Sequence, residues 1–153
     1  MSDSHTNFMK MAVALGKEAL ANGNPPVGAV IVYGDEVIGK GIESGKTTRD
    51  ITNHAEIEAV RDAIQQGHAD KLSQSILYTT HEPCIMCSYL IRHHRLPQVI
   101  YGVSVKDVGG YSSEFKILST ENIPKWGKKP EVTRGVLEEE CQHLSRQFER
   151  QQK

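Results

Sequence analysis

The sequence lacks the features that would set it apart from an ordinary globular domain. It has only three cysteines in 153 residues, too few for a disulfide framework. It has no long apolar run either, because Lys10, Lys17 and Glu18 interrupt the apolar residues near the start. The sequence therefore predicts neither a secretory leader nor a membrane-spanning helix. We expect a cytoplasmic protein without a membrane partner, and the length predicts a single domain over residues 1–153.

Charge of either sign is not in excess. Eighteen basic residues are balanced by 19 acidic ones, which gives a formal net charge of −1. Proteins that bind nucleic acid usually carry a basic surface. The balance therefore argues against nucleic acid as the main partner, although a local patch can be hidden within a neutral total. A hydrophobic share of 38% excludes a disordered chain.

The hydrophobic spacing predicts an α/β fold. Apolar residues recur at helical spacing from residue 7 to about 21, and two β-branched runs around Gly34 and Asp35 predict a hairpin. The pattern then predicts a helix, strand, helix, strand, long connection, strand and helix over residues 54–66, 75–80, 83–94, 98–103, 104–130, 131–136 and 138–150. Strands that alternate with helices predict a central sheet, parallel over its middle part, with helices on its faces.

Two short motifs combine metal ligands with a carboxylate. They read His54-Ala55-Glu56 and Pro83-Cys84-Ile85-Met86-Cys87. Positions three apart share a helix face, so both cysteines can bind one ion from the first turn, with Pro83 at the first helical position. Residues at the start of the other helix can serve the same site from its N-terminus. One imidazole and two thiolates suit zinc and leave a fourth position for water, as in catalytic sites. The carboxylate then becomes a candidate proton carrier.

On these motifs the chain resembles the cytidine-deaminase superfamily, in particular its branch of tRNA adenosine, guanine and cytosine deaminases. The resemblance covers most of the chain. It includes the segments 26–30, 54–57, 77–80, 82–87 and, more weakly, 135–141.

The resemblance implies a fold, a cofactor and a set of site residues. The fold would be a three-layer α/β/α arrangement with a mixed five-stranded sheet, and the family's members usually form homodimers. One zinc ion per chain and one catalytic proton shuttle are implied, and substrate contacts are implied at three further positions. The metal ligands would be His54, Cys84 and Cys87, the proton shuttle Glu56, and the substrate contacts Val27, Ala55 and Glu82.

Three departures from the family's patterns concern the substrate and leave the zinc chemistry unchanged. Many members carry a base-binding asparagine late in the second strand, but residues 39–44 contain none. The usual Asp-Pro-Thr-Ala before the catalytic histidine reads Asp50-Ile51-Thr52-Asn53. The Lys-Thr-Gly-Ala-x-Gly-Ser pattern of tRNA deaminases is replaced over residues 106–112.

We therefore expect a deaminase that removes the exocyclic amine of a free nucleobase or nucleoside, with guanine or cytosine as the leading substrates. One alternative is adenosine deamination in tRNA, a partner that the near-neutral charge disfavours. The other is a non-catalytic interaction domain stabilised by zinc. Glu56 argues against that second alternative, because a structural site has no use for it.

Several other residues have competing interpretations. Cys141 and His81 could each add a fourth protein ligand and make the zinc site structural. Cys141 lies in the apolar register of the last helix and is predicted to pack there, whereas His81 could line the pocket or be solvated. The basic residues 92–95 are predicted to be a solvated helix end. The aromatic residues of the long connection could stack on a planar ring or fill a small local core; they are Tyr111, Phe115 and Trp126.

Overall fold

The central sheet is covered on both faces, because the inner strands are buried on both sides. In the computed structural model, which describes residues 3–152, five strands lie in the order β2-β1-β3-β4-β5. They are β1 (Gly28–Tyr33), β2 (Glu36–Ile42), β3 (Ile76–His81), β4 (Gln98–Val103) and β5 (Glu131–Thr133). The mixed five-stranded sheet is thus confirmed. Its parallel part, β3-β4-β5, runs from the middle strand to one edge. The middle strand β3 pairs parallel with β4 but antiparallel with the hairpin strand β1, so the predicted parallel middle holds on one side only.

The helices form a layer on each face. They are α1 (Asp3–Ala21), the short α2 (Gly45–Thr48), α3 (Ala55–Gln65), α4 (Ile85–His94) and α5 (Glu138–Gln151). Alternate residues of strand β1 pack against opposite helix layers. Ala29 and Ile31 pack on the side of α3 and α4, and Val30 and Val32 pack on the side of α1. Helix α5 packs beside α1 through a smaller apolar cluster. The predicted α/β/α arrangement is confirmed.

Two element boundaries differ from the prediction. Helix α4 begins at Ile85, so Pro83 is not its first helical residue; Cys84 is extended instead (φ −71°, ψ −179°) and forms a bridge with Gly109. Strand β5 ends at Thr133 because a turn follows, in which Leu137 has a φ of +53°.

The connection from 104 to 130 contains one short 3-10 helix, Pro124–Trp126. The rest is irregular and folds back over α4. Within residues 3–152, no helix is long and apolar enough to cross a membrane.

Candidate active site

The two motifs meet where α3 and α4 begin. His54 is the N-cap residue of α3, Cys84 is the N-cap residue of α4, and Cys87 lies in the first turn of α4. Strand β2 lies tightly against the start of α3, because a Cβ at Gly41 would collide with the Ala55 carbonyl. Neither N-cap side chain caps its own helix. Both are directed at the shared site, so each helix gives up a capping bond there.

The geometry of the three side chains fits a zinc ion. Their ligand atoms all lie within 4.8 Å of one another. Nδ1 of His54 is 3.5 Å from Sγ of Cys84 and 3.5 Å from Sγ of Cys87. Tetrahedral zinc with ordinary bond lengths would place such a nitrogen and sulfur about 3.6 Å apart. The donor set and its spacing are therefore those of a zinc site with three protein ligands.

The three side chains shift the pKa values of one another. The pKa of Cys84 is lowered, chiefly because Cys87 donates a hydrogen bond to its sulfur and then because of His54. The pKa of Cys87 is raised by the same bond and by burial. The hydrogen bond to Cys84 raises the pKa of His54. A metal ion would bind the two cysteines as thiolates and the histidine as a neutral imidazole.

Glu56 lies beside this cluster but outside the ligand set. It is the second residue of α3 and only 3% exposed. Burial raises its pKa to about 7, against its own backbone N–H and His54, which lower it. A carboxyl group with this pKa can both accept and donate a proton at neutral pH.

Glu43 is a second buried carboxyl group, to which the sequence assigned no role. It follows β2, and its Oε2 accepts a hydrogen bond from the backbone N–H of Gly45 at 3.0 Å. Burial raises its pKa, while the neighbouring His54 lowers it. One signal in the sequence could have drawn attention to Glu43. It lies in residues 39–44, the segment where many family members carry a base-binding asparagine and this chain does not.

The three predicted substrate contacts differ in their surroundings. Ala55 is fully buried at the start of α3. The carbonyl of Val27 accepts a hydrogen bond from the Glu43 N–H at 3.0 Å. The Glu82 carboxylate is buried and bonded to the connection after β4. Contact of these residues with substrate stays a prediction.

Neither candidate for a fourth ligand joins the cluster. Among the described residues, the possible metal-binding group contains only His54 and the two cysteines of α4. The ring of His81 bonds to Thr80 Oγ1 at 2.9 Å and to Ser145 Oγ at 2.7 Å. Cys141 is fully buried among apolar side chains, which confirms that it packs.

The basic run at the end of α4 is not a solvated end throughout, as had been predicted. Arg92 is 1% exposed and donates hydrogen bonds to backbone carbonyls of the long connection. Its guanidinium carbon lies 5.2 Å from the centre of the Trp126 ring. Tyr111 packs against the main core, whereas Phe115 is 44% exposed. Two of the three aromatic residues therefore take part in local packing.

Comparisons with known proteins agree with this site. A family model described as the cytidine and deoxycytidylate deaminase zinc-binding region matches residues 2–103. The chain is 38% identical over 151 residues to the tRNA-specific adenosine deaminase of Buchnera aphidicola subsp. Baizongia pistaciae, covering 97% of this chain and 90% of that relative.

Solved structures extend the similarity to the fold. A structure from a study of A-to-I editing by tRNA:A34 deaminases at the wobble position has a TM-score of 0.82 at 30% identity. It covers 91% of this chain and 99% of that one. Guanine deaminase from Bacillus subtilis has a TM-score of 0.62 at 39% identity and covers 68% of this chain and 66% of that one.

Proposed function

The chain belongs to the family of cytidine and deoxycytidylate deaminases with a zinc-binding region, and on that basis we propose that its substrate is adenosine in tRNA. The family membership makes it a zinc-dependent hydrolytic deaminase acting on a C–N bond. The observation that carries the tRNA substrate is the similarity, over nearly the whole chain, to a tRNA-specific adenosine deaminase.

Adenosine in tRNA is the alternative substrate predicted from the sequence, and the main prediction is a free base or nucleoside. A free base or nucleoside was favoured because the net charge is −1 and because residues 50–53 and 106–112 depart from the patterns of the family. A total summed over the chain does not fix the charge around one edge of the sheet, so it is a weak argument about one binding surface. The relatives support tRNA adenosine better. The non-catalytic alternative has no support, because the family is one of deaminases.

In the proposed reaction, His54, Cys84 and Cys87 would hold the zinc ion, and zinc bound there would supply a nucleophile at neutral pH by lowering the pKa of water toward about 7. Glu56 is placed to accept one proton of the attacking water and to deliver it to N1 of adenine, beside C6. It then moves the second proton of the same water, from the new hydroxyl on C6, to the departing amine. The C6–N bond breaks, a C6–O bond forms and ammonia leaves, so one water is consumed and nothing is oxidised.

We also propose that the substrate ring lies against the backbone around Val27, Ala55 and Glu82. The support for this is the match of the segments around these residues to the family; Ala55 and Glu82 are themselves buried. Glu43 lies close enough to the metal ligands for its charge and that of His54 to act on each other.

A second candidate is deamination of a free base. The similarity to Bacillus subtilis guanine deaminase favours it, because the identity there is 39% over two thirds of this chain. This candidate keeps the same zinc ligands and the same proton carrier. It differs only in what surrounds the ring.

The deciding experiment compares substrates at physiological salt. We expect the purified zinc protein to convert adenosine to inosine in an anticodon stem-loop, with no ammonia released from guanine, cytosine or free adenosine. A Glu56→Ala protein is the control for contaminating activity. Turnover of guanine without turnover of the stem-loop would replace this proposal by the second candidate.

Two further proposals concern assembly and location. We propose a homodimer, on the resemblance to its family, and a cytoplasmic location, on the small number of cysteines. Light scattering of the purified protein tests the first, and imaging of a tagged chain in its host tests the second.

A further inference from the structure

The connection after β4 lies directly on the residues that precede α4. Gly109 forms a bridge with Cys84. The N–H of Gly110 donates to the carbonyl of Pro83 at 2.8 Å. The first half of the connection, which we call the 105–112 loop, is therefore joined by its backbone to one of the zinc ligands.

The side chain of Glu82 accepts hydrogen bonds from the same loop. Glu82 is 2% exposed. Its Oε1 accepts from the N–H of Val105 at 2.8 Å and from the hydroxyl of Ser112. Its Oε2 accepts from the N–H groups of Tyr111 at 2.9 Å and Ser112 at 2.8 Å. Four donors, three of them from the backbone, thus converge on one buried carboxylate.

The fit between loop and carboxylate leaves no room for a side chain. A Cβ at Gly109 would collide with Oε2 of Glu82. Backbone amides of an irregular segment must find acceptors, and an ionised carboxylate is the strongest acceptor among side chains. A single side chain therefore determines where both ends of the 105–112 loop lie.

The loop also exposes one apolar side chain close to its bridge with Cys84. Val108, next to the residue that pairs with Cys84, is 45% exposed.

We propose that Glu82 is a positioning residue, whose carboxylate holds the 105–112 loop against Cys84 so that the loop forms a fixed wall of the substrate site. Only the nature of the substrate depends on the function proposed above. The hydrogen bonds that define the wall do not depend on it.

The test is Glu82→Gln, which keeps the shape but removes the charge and turns one acceptor into a donor. We expect faster amide hydrogen exchange in peptides covering residues 105–112, with exchange in α1 and β1 unchanged. We expect KM for the stem-loop to rise by about tenfold or more, with kcat less affected and about one zinc retained per chain. Glu114→Gln is the matched control, since Glu114 is exposed on the same connection.

Ser112→Ala removes only a hydroxyl donor and serves if Glu82→Gln does not fold. It should raise exchange in the same peptides and KM by a smaller factor. Unchanged exchange in the 105–112 loop, or a loss of zinc with the loop still protected, would overturn the proposal. If the wild-type protein turns over no stem-loop, the proposed substrate fails while the exchange measurement still tests the wall. KM is then measured on whichever base is deaminated.

Discussion

In residues 104–113, backbone N–H groups converge on the buried carboxylate of Glu82; in residues 114–130, backbone carbonyls converge on the buried guanidinium of Arg92. Both halves of one irregular connection are thus held by a single charge, of opposite sign in each half. The reason is shared: a segment without strands or long helices must satisfy its backbone groups elsewhere. One buried charge does so for several groups at once.

The two anchors differ in position. Glu82 lies two residues before Cys84, whereas Arg92 lies in the last turn of α4, away from the zinc ligands. Glu82 is surrounded by four donors, while Nε of Arg92 is buried without a hydrogen-bond partner among the described residues. The first half should therefore affect substrate binding, and the second half should affect mainly stability.

The two largest expected effects are losses of activity, and the first of them leaves both halves of the connection intact. In Glu56→Gln, kcat should fall by at least about 10²–10⁴, because general acid–base assistance is lost. Zinc content and hydrogen exchange in both halves should match the wild type. Glu58→Gln, in the same helix but partly exposed, is the matched control. Retention of more than about a tenth of the activity would remove Glu56 from its assigned role.

Loss of the metal should disturb one half only. Cys87→Ala should reduce zinc from about one per chain to near zero, measured by metal analysis, and abolish activity. Because Cys84 pairs with Gly109, exchange should rise in residues 105–112 and stay unchanged around Arg92. An equal rise in both halves would mean that the two anchors are not independent.

Removal of the second anchor should cost stability and spare substrate binding. Arg92→Met leaves the carbonyls of Ile117, Thr120 and Gly127 without their donor. We expect a loss of about 3 kcal/mol in the free energy of unfolding, measured with urea. KM should hardly change. The exposed Arg95, which donates to one carbonyl, is the matched control as Arg95→Met. A large rise in KM for Arg92→Met would contradict the division between the halves.

The smallest expected effect concerns the strand end that carries Glu82. Burial lowers the pKa of His81 to about 4, against about 6.5 in an unfolded chain. Between these values the unfolded state binds the extra proton, so the contribution of His81 to stability is complete above pH 6.5 and is lost as pH falls to about 4. His81→Gln should therefore reduce the slope of unfolding free energy against pH in this window, by at most about 1.4 kcal/mol per pH unit. Parallel curves for the two proteins would contradict this.

The helices and strands whose apolar residues recur at regular spacing could be predicted from the sequence. The hairpin, the four long helices and the remaining strands follow from apolar spacing, whereas the short helix α2 does not. The three candidate zinc ligands come from two motifs whose spacing reflects their chemistry. The start of α4 was misplaced, since Pro83 suits a first helical turn and nothing in the local sequence shows that Cys84 pairs with Gly109. Arg92 was misread because a basic helix end is usually solvated, and its partners are carbonyls 25 to 35 residues later.

The environments of Glu43 and Glu82 could not be predicted for the same reason. Their donors are mostly backbone N–H groups, and every residue except proline carries one. Residue identity therefore gives no indication of which of them will converge on a carboxylate.

The bridge between Cys84 and Gly109 fixes the 105–112 loop in place, so its exposed residues can be substituted while the loop stays attached. Its end positions are set by Glu82, while residues 106–108 are exposed and carry none of the bonds to that carboxylate. A designer who wishes to change the accepted ring can vary these three residues and keep Gly109 and Ser112. Such a library would alter specificity at constant metal affinity, because the two properties are carried by different atoms of adjoining segments.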